Sequence, residues 1–165
     1  MTHATRLSSL NTTAGHPNRI EPGKRPRITL TPTLVLKEGR PVFAVSVAGG
    51  DLQDQVTLSL LINAIEFGME PAEAVRAPRF ATKHHENSFN PAADRKKALV
   101  SLGCLQAGKG LSTEVVAELK ARGHSVELVE TPLGNPVMIW IDPATGRLQA
   151  AGDPKAGRHA GAVKD

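Results

Sequence analysis

The sequence predicts a layered α/β domain of the α+β kind, with helices packed on a largely antiparallel sheet. Three observations support this fold class. Residues 33–47 contain two runs of β-branched and aliphatic residues joined by a short turn, residues 52–67 carry apolar side chains at helical spacing, and residues 126–151 contain three more runs typical of strands. The order of elements is therefore hairpin, helices, strand, helix and three strands.

Composition bounds the class of protein. A length of 165 residues is typical of one domain, and 40% apolar residues are enough for a core. Aromatic residues make up only 3%, so the core is expected to be aliphatic. The net charge of +4 comes from mostly scattered basic residues with few aromatics to stack on bases, which does not favour nucleic-acid binding.

The chain shows no targeting or membrane signal. No apolar run approaches the ~20 residues that a membrane-spanning helix needs, and residues 1–10 lack the apolar stretch of a signal peptide. The single cysteine, Cys104, excludes an internal disulfide and is consistent with a reducing compartment. We therefore expect no membrane partner and a cytoplasmic location.

The first half of the domain follows a loop. Residues 1–27 are rich in small polar residues and predict an extended loop, and the hairpin comes next. Asp51 is predicted to cap the helix over 52–67, which has few charges and is expected to be buried on most sides. Gly68 is expected to end that helix.

The second half alternates helices and strands. Pro71 suits the first turn of a short helix that ends before Pro78. Residues 82–98 are polar and receive no assignment, and residues 99–105 are predicted to be a strand. Ser112 or Thr113 is predicted to cap a helix that ends at Gly123.

Strands are predicted at 126–129, 137–141 and 147–151, with a turn at 142–146. The tail from Asp153 is rich in Gly and Lys and is expected to be loose. The predicted division is a loop segment at 1–27, a domain at 28–154 and a loose tail at 155–165.

The junction between the second strand and the long helix is the strongest local candidate for a site. Gly49 and Gly50 stand there, and a turn without side chains can leave backbone N–H groups pointing outward at a helix N-terminus. Such a turn can act as an oxyanion hole or an anion-binding nest. The alternative is an ordinary glycine turn.

A second candidate precedes the first strand. Thr29 and Thr31 offer hydroxyl groups beside a basic run that ends at Arg27, and hydroxyls with cations can hold a carboxylate. The alternative is a strand threonine beside a solvated loop. The run at 84–86, His-His-Glu, resembles metal ligands, but no well-spaced set completes a tetrahedral site, so a polar loop is favoured and no metal is expected.

Several short motifs follow one another in an order and spacing that resemble the small subunit of gamma-glutamyltransferases, in particular the bacterial branch with cephalosporin-acylase-like proteins. The resemblance runs from about Leu10 to Pro154. It rests on His16-Pro17-Asn18, Pro22-Gly23-Lys24-Arg25-Pro26, Leu30-Thr31-Pro32-Thr33-Leu34-Val35, Gly49-Gly50-Asp51, Ile65-Glu66-Phe67-Gly68-Met69, Glu73-Ala74-Val75-Arg76-Ala77-Pro78-Arg79-Phe80 and Gly152-Asp153-Pro154.

The resemblance implies part of a four-layer αββα N-terminal-nucleophile hydrolase fold. It also implies a precursor that cleaves itself, after which the new N-terminal Thr attacks a gamma-glutamyl amide. The acyl group then passes to water or to an amino acid or peptide, and no cofactor is needed. The implied substrates are of the glutathione or acylase type.

The resemblance assigns roles to particular residues. Gly49 and Gly50 match the glycine pair whose N–H groups form the oxyanion hole. Ile28 and Thr29 fall where the family has two serines that bind the α-carboxylate of the substrate, so Thr29 keeps a hydroxyl and Ile28 does not. Asp51 stands where many members have Ser, and Ser9 stands where an aspartate holds the amino group of the substrate.

The nucleophile is the main departure from the family pattern. The family's small subunit begins with Thr-Thr-His or Thr-Ser-His and runs through a strand pair before the region that matches Leu10. Here Thr2 lies only a few residues before that region, and it is the candidate nucleophile of this chain. The expectation is a fragment that works with a large subunit or N-terminal segment. The alternative is a non-catalytic remnant or binding module.

Overall fold

The computed structural model describes residues 10–25, 28–89, 91–92, 94–99 and 101–161. The strands are β1 Thr33–Lys37, β2 Arg40–Ala48, β3 Phe80–Thr82, β4 Cys104–Gly108, β5 Ser125–Val129, β6 Asn135–Ile141 and β7 Leu148–Gly152. The helices are α1 Gln53–Ile65, α2 Pro71–Ala74 and α3 Thr113–Ala121. Residues 10–25 form turns and an isolated bridge between Asn11 and Arg19.

Four strands form the main sheet, in the order β1-β2-β6-β7, and every neighbouring pair is antiparallel. The predicted hairpin and the predicted strands at 137–141 and 147–151 are confirmed. A short turn joins β1 to β2, and another joins β6 to β7. The local pattern of β-branched runs and turn residues was therefore enough to predict each pair.

Three strands form a second sheet, in the order β3-β4-β5. The pair β4 and β5 is parallel, and α3 supplies the crossover between them. The strand predicted at 99–105 is wrong in position, because Ser101 and Gly103 adopt positive φ angles in a turn and β4 starts only at Cys104. The sequence missed β3, since three residues are too few to show a period.

Helix α1 packs one face on the main sheet. Its buried residues Val56, Leu60 and Ala64 share a core with Val45 and Met138. The expectation that α1 is buried on most sides is wrong: Leu58, Ile62 and Ile65 are exposed on its other side.

The start of α1 differs from the prediction. Asp51 does not cap the helix; it lies in a 3₁₀ turn over Gly50–Leu52. Its carboxylate accepts hydrogen bonds from Ser88 instead, 37 residues along the chain. The other predicted caps hold. Pro71 opens α2, and the Ser112 hydroxyl caps α3 by accepting from the N–H of Val115 at 3.3 Å.

Asp153, where the loose tail was predicted to begin, is held more firmly than predicted. Asp153 is only 2% exposed and forms a buried ion pair with Arg79, so the expectation of a loose tail from Asp153 is wrong. Arg79 also donates from Nε to the carbonyl of Leu133 at 2.9 Å. The pair joins residues 74 positions apart, which no local pattern could show.

Candidate functional site

The glycine turn links the main sheet to α1. Strand β2 ends at Ala48, Gly49 has a φ of 165°, and Gly50 adopts a left-handed φ of 61° before the helix begins. A Cβ atom at Gly50 would lie 3.1 Å from Cε2 of Phe89. Both the φ angle and this contact favour glycine at position 50.

The turn is supported from behind by the loop that precedes β6. A Cβ atom at Gly49 would lie 3.2 Å from the Cα of Gly134, so the two backbones are in close contact. The neighbouring residue, Leu133, is buried and its carbonyl is held by Arg79. The buried ion pair of Arg79 and Asp153 therefore fixes the loop on which the glycine turn rests.

A cleft of about 560 Å³ opens in front of the turn. Two of the predicted regions meet there, because Ile28, Thr29 and Gly50 all line the cleft. The remaining described residues that line the cleft are Asn18, Leu30, Thr31, Asp51, Gln53, Asp54, His85, Glu86, Ser88 and Pro91.

Some of the predicted site residues lie at the cleft, and others lie outside the described residues. Ile28 is 60% exposed at the cleft, and Thr29 is half-buried. Thr31, the second hydroxyl of the predicted carboxylate site, donates towards Oε1 of Gln53 at 3.4 Å. Thr2 and Arg27 lie outside the described residues, so their predicted roles stay predictions.

Sequence reasoning missed one wall of the cleft. This wall comes from the polar stretch at 82–98 that received no assignment, and it contributes His85, Glu86 and Ser88. Asn18 connects to it by donating from Nδ2 to the carbonyl of Phe89 at 3.1 Å. A usable signal was present in the His16-Pro17-Asn18 motif, which had no role other than in the resemblance.

The charge of the described lining is negative. Asp51, Asp54 and Glu86 contribute carboxylates, and the described lining residues include no lysine or arginine. Within the described residues, no group of three or more His, Cys, Asp and Glu side chains is placed to hold a metal ion. Besides the backbone of Gly50, the described cleft offers hydroxyls and carboxylates.

The described part of the chain contains no helix that is long and apolar enough to cross a bilayer.

Comparison with solved structures gives the class of protein. The chain superposes on cephalosporin acylase from Bacillus halodurans with a TM-score of 0.71 and 27% identity, covering 91% of this chain and 25% of that one. It superposes on gamma-glutamyltranspeptidase from Pseudomonas nitroreducens complexed with L-DON, with a TM-score of 0.71, 22% identity and coverage of 98% and 80%. The fold is thus part of the N-terminal-nucleophile hydrolase fold, as predicted.

Sequence comparison gives the family. The family model described as gamma-glutamyltranspeptidase matches residues 2–163, and the chain belongs to this family. The chain is 32% identical over 142 residues to the glutathione hydrolase proenzyme of Escherichia coli, which covers 86% of this chain and 21% of that protein. It therefore spans about a fifth of the length of such curated relatives, which are described as proenzymes.

Proposed function

We propose that this chain takes part in the hydrolysis or transfer of a gamma-glutamyl or related amide, and that Gly49 and Gly50 form the oxyanion hole. The observation that supports this most directly is the shared cleft of Gly50, Ile28 and Thr29. Two regions to which the family resemblance assigns binding and catalysis thus line one cleft, although 20 residues separate them in sequence.

The proposed chemistry needs an amide carbonyl placed at the glycine turn. An N-terminal Thr hydroxyl attacks the carbonyl carbon, and its proton passes to the free amine of the same residue. Negative charge develops on the carbonyl oxygen, and N–H groups at the start of α1 stabilise it. The amine of the substrate takes up that proton and leaves, and the acyl group stays on the Thr hydroxyl as an ester. Water or a second amine then attacks the ester and releases the acyl group. No cofactor enters these steps.

Two sources of the nucleophile are compatible with this proposal. Thr2 is the candidate within the chain. The other is a threonine on a separate segment or subunit that completes the site, as the family's proenzyme organisation suggests. The glycine turn, its supporting loop and the cleft would serve in the same way in both cases.

The proposed substrate has an acyl group that meets Ile28 and Thr29. The Thr29 hydroxyl can accept or donate a hydrogen bond, and Arg27 would add a cation for a carboxylate. Ile28 instead presents apolar surface where the family has a serine. We infer a substrate class that includes acylase-type amides with less polar acyl groups as well as glutathione-type amides.

The main sheet supports the proposal of a partner segment. Helix α1 covers one face of this sheet, and the other face presents exposed apolar side chains, among them Leu34, Ile139 and Leu148. An antiparallel sheet with one solvated face normally alternates apolar and polar residues. An apolar second face is expected to be covered, and we propose that a large subunit or N-terminal segment covers it.

The alternative function is a binding module without catalysis. Ile28 favours this candidate, because it removes one of the hydroxyls that the family uses on the substrate. Such a module would keep the cleft and the anion-binding turn and would bind an amide or a carboxylate without turnover.

The decisive experiment combines mass, N-terminal sequence and turnover. The protein is purified from its native source and its intact mass and first residue are determined, and hydrolysis of a gamma-glutamyl anilide and of an acyl anilide is measured. Loss of turnover in Thr2→Ala, with Thr113→Ala as the surface control, assigns the nucleophile to Thr2. Turnover that survives Thr2→Ala, together with a partner chain beginning at Thr, assigns it to the partner.

A chain that copurifies with no such partner and hydrolyses neither anilide contradicts the catalytic proposal. Binding of a gamma-glutamyl compound to that chain would then support the binding module.

A further inference from the structure

The part of the cleft wall that contains Ser88 is attached to the glycine turn through the carboxylate of Asp51. Asp51 follows Gly50 directly, and its Oδ2 accepts a hydrogen bond from the N–H of Ser88 at 3.0 Å. Its Oδ1 accepts a second one from the Ser88 hydroxyl. Ser88 is buried, so both bonds form largely away from water, where they are stronger than at the surface.

A second attachment reaches the same place from the N-terminal loop. Asn18 donates from Nδ2 to the carbonyl of Phe89 at 3.1 Å and to that of Ser88 at 3.4 Å. Asn18 is held in turn by its own N–H, which donates to Nδ1 of His16 at 3.0 Å. Ser88 and Phe89 are thus held by residues of the N-terminal loop as well as by the glycine turn.

The consequence of these attachments is the position of the Phe89 ring. The ring carbons Cε2 and Cζ lie 3.1 and 3.6 Å from the place where a Cβ of Gly50 would be. The ring therefore lies directly over the second glycine of the turn. The ring occupies the space that a side chain at position 50 would need, and its neighbour Ser88 lines the cleft.

We propose that Asp51 is a positioning residue that ties Ser88 to the glycine turn, holds Phe89 against Gly50 and so sets the width of the cleft where Ser88 lines it. The use of this width in amide selection rests on the proposed function. The tether itself is a property of the fold and can be tested without any substrate.

The test uses the magnetic effect of an aromatic ring on nearby nuclei. In the full chain labelled with ¹⁵N and ¹³C glycine, the amide and α resonances of Gly50 are recorded. Phe89→Leu removes the ring and defines the position of the Gly50 resonances without it. Ser88→Ala and Asp51→Asn are expected to move these resonances most of the way towards that position, whereas Ser88→Thr, which keeps the hydroxyl, stays near the parent.

Ser59→Ala is the matched control. Its hydroxyl also donates a hydrogen bond at 3.0 Å, but to the carbonyl of Gln55 within α1. This variant should leave Gly50 unchanged. Asn18→Ala removes the bonds to the carbonyls of Ser88 and Phe89 and gives a second test if Asp51→Asn does not fold. It should also move the Gly50 resonances towards the ring-free position.

Two outcomes overturn the proposal. One is a Phe89→Leu spectrum in which Gly50 does not move, since the ring would then not lie over the turn. The other is a Gly50 resonance that moves in Phe89→Leu but keeps its parent position in both Ser88→Ala and Asp51→Asn. Neither result depends on turnover, so failure of the amide-cleaving proposal and failure of the tether are separate findings.

An active preparation adds a second readout. Ser88→Ala is expected to lower KM for amides with bulky acyl groups relative to small ones, because the cleft is wider, and Ser59→Ala is expected to leave the ratio unchanged. An unchanged ratio in Ser88→Ala would overturn the link between the tether and amide selection.

Discussion

The two faces of the main sheet carry similar side chains in very different surroundings. On the helix side, Met138 of β6 is 1% exposed and packs with Val45 and Leu60. On the opposite side, the next residue of the same strand, Ile139, is 38% exposed, and Leu34 on the edge strand is 60% exposed. Adjacent residues of one strand thus separate a packed core from uncovered apolar surface.

An apolar run in a strand predicts burial but does not identify the segment that provides it. Residues Val137–Ile141 within β6 are all apolar, which is typical of a strand buried on both faces. The chain supplies α1 for one face. The pattern predicts that the second face is also buried, but it contains no information on which segment or subunit covers it.

The largest loss of stability is expected when the buried ion pair of Arg79 and Asp153 is broken, near the place where α2 meets the end of β7. Asp153→Asn leaves the Arg79 guanidinium buried without a charged partner. Such a loss costs about 3–5 kcal/mol, and denaturant unfolding measures it. The matched control is the exposed pair of Lys109 and Glu130, where Glu130→Gln should cost at most about 1 kcal/mol.

Equal costs for these two substitutions would contradict the assignment of Asp153 as a buried anchor. The free energies are compared only if both variants show the parent's dependence on denaturant, because a changed slope indicates a changed unfolded or native state.

The next largest loss of stability is expected at β6, where two neighbouring residues compare the two faces of the sheet. Met138→Ala removes a fully buried side chain and is expected to destabilise the chain by about 2–5 kcal/mol. Ile139→Ala removes a side chain on the uncovered face and is expected to change the stability of the chain alone by about 0.5 kcal/mol or less. Thermal and denaturant unfolding of the two variants measure the difference. A large loss in Ile139→Ala would show that the second face is already packed.

A smaller effect on stability, but a large one on assembly, is expected from Leu34→Ser combined with Ile139→Ser. The double variant should unfold within about 1 kcal/mol of the parent, since both side chains are substantially exposed. It should bind less of an apolar dye and lose association with a partner segment, which dye fluorescence and copurification measure. Leu128→Ser, on an exposed position of the second sheet, is the control and should keep that association.

The sequence predicted the parts of the fold that depend on local pattern. The hairpin, the core face of α1, the caps at Pro71 and Ser112 and the final strands all follow from periodicity and turn residues within a few positions. The glycine turn was also found locally, and the resemblance gave it a role. These predictions needed no information from distant residues.

What the sequence did not predict depends on distant contacts. Asp51 looked like a helix cap, because aspartate before an apolar helix commonly caps it. In the fold it bonds Ser88 instead, and Asp153 bonds Arg79 where a loose tail was expected. Each contact joins polar residues in stretches without periodicity, so local propensity gave the wrong answer for Asp51 and Asp153 and none for the cleft wall.

The smallest change in stability is expected at the turn that joins β6 to β7, which belongs to neither face of the sheet. The Thr145 hydroxyl and then the Ala144 N–H donate to Asp142, and these bonds lower the pKa of its carboxyl group. A lowered pKa in the folded state means that the charged form is stabilised by folding. This contribution is fully present above the unfolded pKa of about 3.9 and is lost as the pH falls through the folded pKa.

Asp142→Asn should therefore have a slightly lower unfolding midpoint than the parent near neutral pH, and the difference between the two midpoints should vanish as the pH drops below about 4. Unfolding midpoints across this range measure it; a gap that is constant with pH would mean that shape rather than charge stabilises the turn.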